Sequence, residues 1–133
     1  MLWKSREVCV MSGTKILIDT NIAINLFKGD NHLALLLQDT EAYLSFIVEL
    51  ELLGYQEITI EEESFVETFL DECTIIDSNS GIKEITTYIR RQYNLKLPDA
   101  IIAATSIFLG VPLLSANDYF ERVKELIFIL YQS

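Results

Sequence analysis

Apolar residues along this chain fall in short continuous runs separated by amphipathic stretches, an alternation that predicts strands laid down between helices. Ile16, Leu17 and Ile18 form the first run, over 15–19, and its lack of a polar face marks a buried parallel strand. A short helix over 21–28 follows, closed by Gly29, and Leu33, Leu36 and Leu37 then repeat at helical spacing. The pattern continues with a strand over 42–46 and a helix over 47–55. Thr59 and Glu62 have the spacing of a capping box, Glu61, Glu62 and Glu63 suit a positive helix terminus, and Phe65, Val66, Phe69 and Leu70 line one face. A strand over 74–76 leads to a helix over 80–93 with Ile82, Ile85 and Ile89 inward. Pro98 and Asp99 open an almost wholly apolar helix over 100–109, which Gly110 and Pro112 end and which must be buried. Short strands over 113–114 and 128–131 flank a helical stretch over 117–125. The expected fold class is α/β, a mostly parallel central sheet flanked by helices.

At 133 residues, half of them apolar, the chain has the length of one domain with a proper core. Residues 1–13 read as a lead-in, with Met11 an alternative start, and 14–133 as the domain. No run approaches the roughly 18 apolar residues of a membrane span, and the first residues lack a secretory signal, so a cytoplasmic protein is expected, with no membrane partner. Cys9 and Cys73 lack C-x-x-C spacing and read as free thiols. The net charge of −10 argues against indiscriminate nucleic-acid binding. It does not exclude RNA, because a carboxylate metal site is itself negative and local cations still grip a backbone. Such cations are few: Lys28, Arg90 and Arg91 with Lys96, and Arg122 with Lys124. Each group, taken alone, reads as a solvated helix face.

The chemistry-bearing residues fall at element ends. Asp19 closes the first strand, where an open α/β sheet presents its ligand crevice. Asp99 begins the buried helix, where an acid also serves as a dipole partner. Asn117 and Asp118 follow the strand at Leu113 and Leu114. Glu49 and Glu51 share a helix but diverge by about 200°, so only one of them can line a given site. Which one is left open by spacing.

Four segments together resemble the PIN domain family, in particular its small stand-alone VapC-type toxin ribonucleases. Ile18, Asp19, Thr20 and Asn21 look like the opening motif, Leu44 to Gly54 like the second, Leu97 to Ala104 like the third, and Pro112 to Asn117 through Phe120 like the fourth. The resemblance runs from about Lys15 to the end and implies a single PIN-like domain. It assigns Asp19, Glu51 rather than Glu49, and Asp99 as metal-binding acids. Where the family often carries aspartate, this chain has Asn117, which adds no charge, with Asp118 beside it. The fourth site position therefore stays open between these two. Thr20, Asn21 and Ser115 read as supporting residues: Thr20 near a metal water, Asn21 fixing the turn, Ser115 orienting a carboxylate or a water.

An oxygen-only donor set suits a hard octahedral cation, Mg²⁺ or Mn²⁺. The single histidine, His32, rules out a histidine-pair ribonuclease mechanism and reads as a surface or helix-start residue. The expected activity is metal-assisted hydrolysis of RNA phosphodiester bonds, with the carboxylates acting as metal scaffold. The resemblance further implies a toxin neutralised by a small cognate antitoxin, often as a homodimer, and the family inserts an arginine into the acidic pocket. Positive mean hydropathy with seven Phe and six Tyr fits additional apolar contact surface. The alternative is a catalytically weak or silent PIN-like module that binds RNA or protein. A haloacid-dehalogenase type of phosphotransferase is disfavoured because Asn21 stands where its second aspartate belongs. A response-regulator receiver is disfavoured by the positions of Glu61 to Glu63 and Lys124.

Overall fold

The computed structural model describes residues 14–132. Five strands, β1 (Lys15–Ile18), β2 (Glu41–Ser45), β3 (Thr74–Ile76), β4 (Leu113–Ser115) and β5 (Phe128–Leu130), form one sheet in the order β3-β2-β1-β4-β5. Every pairing is parallel. Parallel neighbours need long crossovers, and six helices supply them: α1 (Thr20–Phe27), α2 (Asn31–Leu37), α3 (Phe46–Leu53), α4 (Ile60–Glu72), α5 (Ser80–Tyr93) and α6 (Leu97–Leu109). The α/β fold expected from the apolar pattern is thus present, with the sheet wholly parallel. The lead-in expected over 1–13, and Cys9 within it, lie outside the described residues.

The centre of the sheet is its driest part. Ile16, Leu17, Ile18, Leu113 and Leu114 have no exposed surface, as a strand covered on both faces requires. Helix α6 is buried along Ala100, Ile102, Ala103 and Ala104, and the ring of its Phe108 lies against Gly81 of α5. A Cβ there would stand 2.6 Å from a ring carbon of Phe108. Gly110, at φ +68°, ends α6 in the left-handed region, which a β-carbon disfavours.

Local signals set several boundaries. The capping box forms as expected: the Glu62 N–H donates to Thr59 Oγ1 and the Thr59 N–H donates to Glu62 Oε1, both at 3.1 Å. Glu62 also receives Lys28 Nζ at 3.1 Å, which ties α4 to the end of α1 where Phe27 meets Phe65 edge-on. His32 sits exposed in the first turn of α2, and Cys73, at the end of α4, is a free thiol whose burial pushes its pKa up to about 12. One element differs. The helix expected over 117–125 is a 3₁₀ turn at Asp118–Arg122 that gives way to a bend before β5. Buried Phe120, Val123 and Leu126 pin this stretch to the core at three-residue spacing, which suits a 3₁₀ turn rather than a continuing α-helix.

Candidate metal centre

Across the sheet, the chain steps from β1 outward to β3 and then returns to the other side of β1 for β4. The crevice at the carboxyl ends of β1 and β4 is therefore the topological switch point, where open α/β sheets bind ligands. Asp19 is the residue immediately after β1, and Ser115 ends β4.

Asp19 is held on every side. It is only 4 % exposed. As N-cap of α1 it accepts from the Thr20 N–H at Oδ1 (2.8 Å), while Oδ2 accepts from Ser115 Oγ (2.6 Å) and, at 3.3 Å, from Asn21 Nδ2. Asn21 spans the crevice, since its Oδ1 also accepts from the Ala116 N–H at 3.1 Å. The Ser115 hydroxyl in turn accepts from the Asn117 N–H at 3.0 Å. Even so, burial pushes the Asp19 pKa above its ordinary value. The hydrogen bonds from Ser115 and Thr20 oppose that shift, and the charges of Asp99 and Glu51 add to it.

Glu51 and Asp99 arrive on two different helices. Helix α3 starts directly off β2, its first turn capped by Ser45, and brings Glu51 to the Thr20 hydroxyl, which donates to Oε1. Asp99 lies in the first turn of α6, set there by Pro98. Its Oδ2 accepts from Tyr119 Oη at 3.1 Å, and that phenol oxygen accepts from Asn117 Nδ2, also at 3.1 Å. Burial, then Asp99, then Asp19 and Glu51 hold the Tyr119 phenol well above its ordinary range, so one hydroxyl feels all three acids. It stays protonated and donating at any physiological pH.

Of the residues singled out by sequence, Asp19, Thr20, Asn21, Glu51, Asp99, Ser115 and Asn117 join one hydrogen-bonded and electrostatic cluster. Asp118 does not: it is exposed at the start of the 3₁₀ turn, with no hydrogen bond to the cluster among the described residues. Tyr119 was missed. Its only signal is its position two residues after Asn117, and nothing in that spacing foretells a contact with Asp99.

The cluster's donors are all oxygens, with no histidine or cysteine among them, which fits Mg²⁺ or Mn²⁺. Among the described residues no three acid, histidine or cysteine side chains close tightly enough to enclose an ion by themselves. That openness is compatible with Mg²⁺, which takes one or two carboxylates and keeps several waters. The raised Asp19 pKa is the electrostatic counterpart, since a buried carboxylate facing two like charges gains from a cation.

A buried aspartate at the switch point of a five-stranded parallel sheet, faced by more exposed acids on two crossover helices, defines a class of small α/β domain with an acidic crevice. The model of the PIN domain matches residues 16–126, and the chain belongs to the PIN domain family. Its fold is shared with a chain of a toxin-antitoxin complex from Klebsiella pneumoniae, at 29 % identity and TM-score 0.76 over 89 % of this chain and 99 % of that one. It is shared too with VapBC2 from Rickettsia felis bound to a DNA fragment from its promoter, at 22 % identity and TM-score 0.76 over 90 % of this chain and 100 % of that one. A third likeness is to VapBC-1 from nontypeable Haemophilus influenzae, at 21 % identity and TM-score 0.70 over 88 % and 98 % of the two chains. No curated protein matches the sequence.

Proposed function

We propose that this protein is a metal-dependent endoribonuclease, the toxin of a toxin-antitoxin pair, acting in the cytoplasm. The observation that carries the reading is Asp19: a carboxylate kept buried at the switch point, oriented by Ser115 and Thr20, and electrostatically coupled to Asp99 and Glu51. Ionising a carboxylate buried in this way costs stability, and a bound cation would offset that cost.

Asp19, Asp99 and Glu51 would hold the ion, Mg²⁺ or Mn²⁺. When bound, such an ion would supply positive charge to offset that on the scissile phosphodiester and would lower the pKa of a water. The chain's own residues do the positioning. Ser115, Thr20 and Asn21 hold Asp19 in one rotamer, the Thr20 hydroxyl steers Glu51, and Tyr119 holds Asp99 while Asn117 holds Tyr119. Asn117 thus acts by hydrogen bonding rather than by charge, and Asp118 stands as a candidate contact at the rim of the site.

The structurally similar chains include those of toxin-antitoxin complexes, which supports a small antitoxin as partner. Exposed Leu50 and Leu53 on α3, with Ile60 and Phe65 on α4, offer apolar surface for that partner or for a homodimer. The deciding experiment is cleavage of structured RNAs, transfer RNA included, by purified protein in Mg²⁺ or Mn²⁺ against EDTA, beside Asp99→Asn. Metal-dependent cutting that disappears in the variant is expected. A folded, metal-binding, antitoxin-free protein that cuts nothing would overturn the enzyme and leave a silent PIN-like binding module.

A further inference from the structure

The acid cluster cannot by itself attract an RNA strand, because an unfilled group of carboxylates repels phosphates and this chain carries a net −10. Beside the cluster lies a cleft of 180 Å³ whose walls are Asn94, Leu95, Lys96, Asp99, Tyr119 and Arg122. Two of those residues are cations next to two residues of the acid site.

Each wall has a clear structural origin. Helix α5 ends at Asn94, in the left-handed region at φ 54° and ψ 39°, a conformation that asparagine tolerates better than most residues, with its N–H on the Arg90 carbonyl at 3.1 Å. Lys96 follows as the N-cap residue of α6, exposed, in extended backbone. On the opposite side the 3₁₀ turn brings Arg122, whose Nε donates to the Tyr119 carbonyl at 3.4 Å. That bond holds the guanidinium along the turn and leaves its other N–H groups for a ligand. Among the described residues neither Lys96 nor Arg122 is neutralised by a salt bridge, despite the excess of acids, whereas Lys28 is paired with Glu62. Arg90 and Arg91 in the last turn of α5 add positive charge on the Lys96 side, whereas on the other side Lys124 shares its segment with Asp118, Glu121 and Glu125, which leaves Lys96 and Arg122 as the cations of the cleft itself.

We propose that this cleft is a phosphate subsite: Lys96 and Arg122 grip a backbone phosphate of the RNA strand next to the one presented to Asp19, Glu51 and Asp99. The proposal rests on the nuclease reading and adds the direction from which the strand enters. Asp99 belongs to both places, so a phosphate seated in the cleft adjoins the acid site. A free anion gains little there, because Asp99 stands in the wall. A polynucleotide gains more, since its neighbouring phosphate binds at the cation-filled centre and the two contacts reinforce each other through the chain.

The test is fluorescence anisotropy with a short labelled single-stranded RNA, titrated in Ca²⁺ so that binding is read apart from Mg²⁺-supported cleavage, over a series of salt concentrations. Lys96→Ala and Arg122→Ala are expected to weaken binding several-fold and to flatten the salt dependence, by about 0.7 in log–log slope for each phosphate no longer neutralised. Lys96→Arg should restore most of the binding. Lys83→Ala removes a cation from another cleft, on α5, and should leave the slope unchanged. In cleavage assays with Mg²⁺ the two alanine variants should raise KM while kcat holds. If the wild type cuts RNA but both variants bind and cut as it does, or Lys83→Ala weakens binding equally, the subsite is wrong and the nuclease stands. If RNA binding depends on Lys96 and Arg122 but no cutting occurs, the subsite stands and the nuclease falls. Displacement of the RNA by inorganic phosphate at constant ionic strength would mark a free-anion site and overturn the assignment to a strand. A wild type that neither binds nor cuts RNA overturns both.

Discussion

Two acidic groups in this protein look alike in sequence and behave in opposite ways. Glu61, Glu62 and Glu63 start α4 in the open, and the N–H of Thr59 and the ammonium of Lys28 hold the Glu62 carboxyl below its ordinary pKa. Asp19 also caps a helix, yet burial carries its pKa upward, and Asp99 and Glu51 push it further. One group helps the fold when ionised, whereas the other strains it. The difference is solvent and company, since both receive backbone hydrogen bonds. Glu62 has a cation as its neighbour, while Asp19, though it too accepts hydrogen bonds, has two other acids.

The largest effect that would break this contrast is on turnover. Asp19→Asn should lower metal-dependent RNA cleavage at least about a hundredfold, beyond the roughly 10–100-fold range typical of groups that only orient a metal ligand. Added Mg²⁺ should raise the melting temperature of the wild type but not of the variant. Retained cleavage in a nuclease-free preparation would remove Asp19 from the chemistry.

Next comes Tyr119→Phe, which keeps the ring against Phe120 and deletes the donor to Asp99. A loss of about tenfold in cleavage, with Mn²⁺ concentration dependence shifted upward, is expected for a positioning group. Unchanged metal dependence would mean that Asp99 needs no such support. On the other side of the comparison, Thr59→Ala should cost about 1 kcal/mol of stability through the lost helix cap, read from denaturant midpoints, with cleavage intact. Cleavage falling along with stability would couple α4 to the site in a way its distance in the fold does not suggest.

The smallest effect is the pH dependence of stability in metal-free protein. For Glu62, whose folded pKa is lowered, the contribution is present above 4.5, its ordinary value, and is lost as pH falls through the folded value. For Asp19, whose folded pKa is raised, ionisation costs stability: the cost is absent below 3.8 and complete once pH passes the raised value. Asp19→Asn should therefore melt higher than the wild type at neutral pH, with the gap closing in acid. A variant that melts lower at neutral pH would show that the Ser115 and Thr20 hydrogen bonds outweigh the desolvation.

Much of this was legible along the chain. The dry run at Ile16 to Ile18, the cap at Thr59 and Glu62, and Pro98 before an apolar helix each carry a local physical signal, and the strands lie within a residue of their expected places, whereas the apolar helix starts at Leu97, three residues before its expected start at 100. Asp19 announced itself because a carboxylate directly after a buried strand has few other uses. Asn117 and Tyr119 were harder. Helical propensity over 117–125 predicted the wrong turn, and only the anchoring of Phe120 and Val123 in the core converts it to 3₁₀ and carries the phenol to Asp99, twenty residues back.

The order of strands and helices, the chemistry of the acids and the ends of most elements were determined by the sequence alone, since hydrophobic period, caps and helix breakers act over a few residues. Tertiary structure decided which acids meet. Only folding places β4 beside β1, so that Ser115 reaches Asp19, and brings Glu51 on α3 and Asp99 on α6 close enough for their charges to act on Asp19. It also decided which cations lie beside that crevice: Lys96 and Arg122 are 26 positions apart and become neighbours across one cleft. Such contacts depend on how distant elements share a core, and no local pattern of residues encodes them.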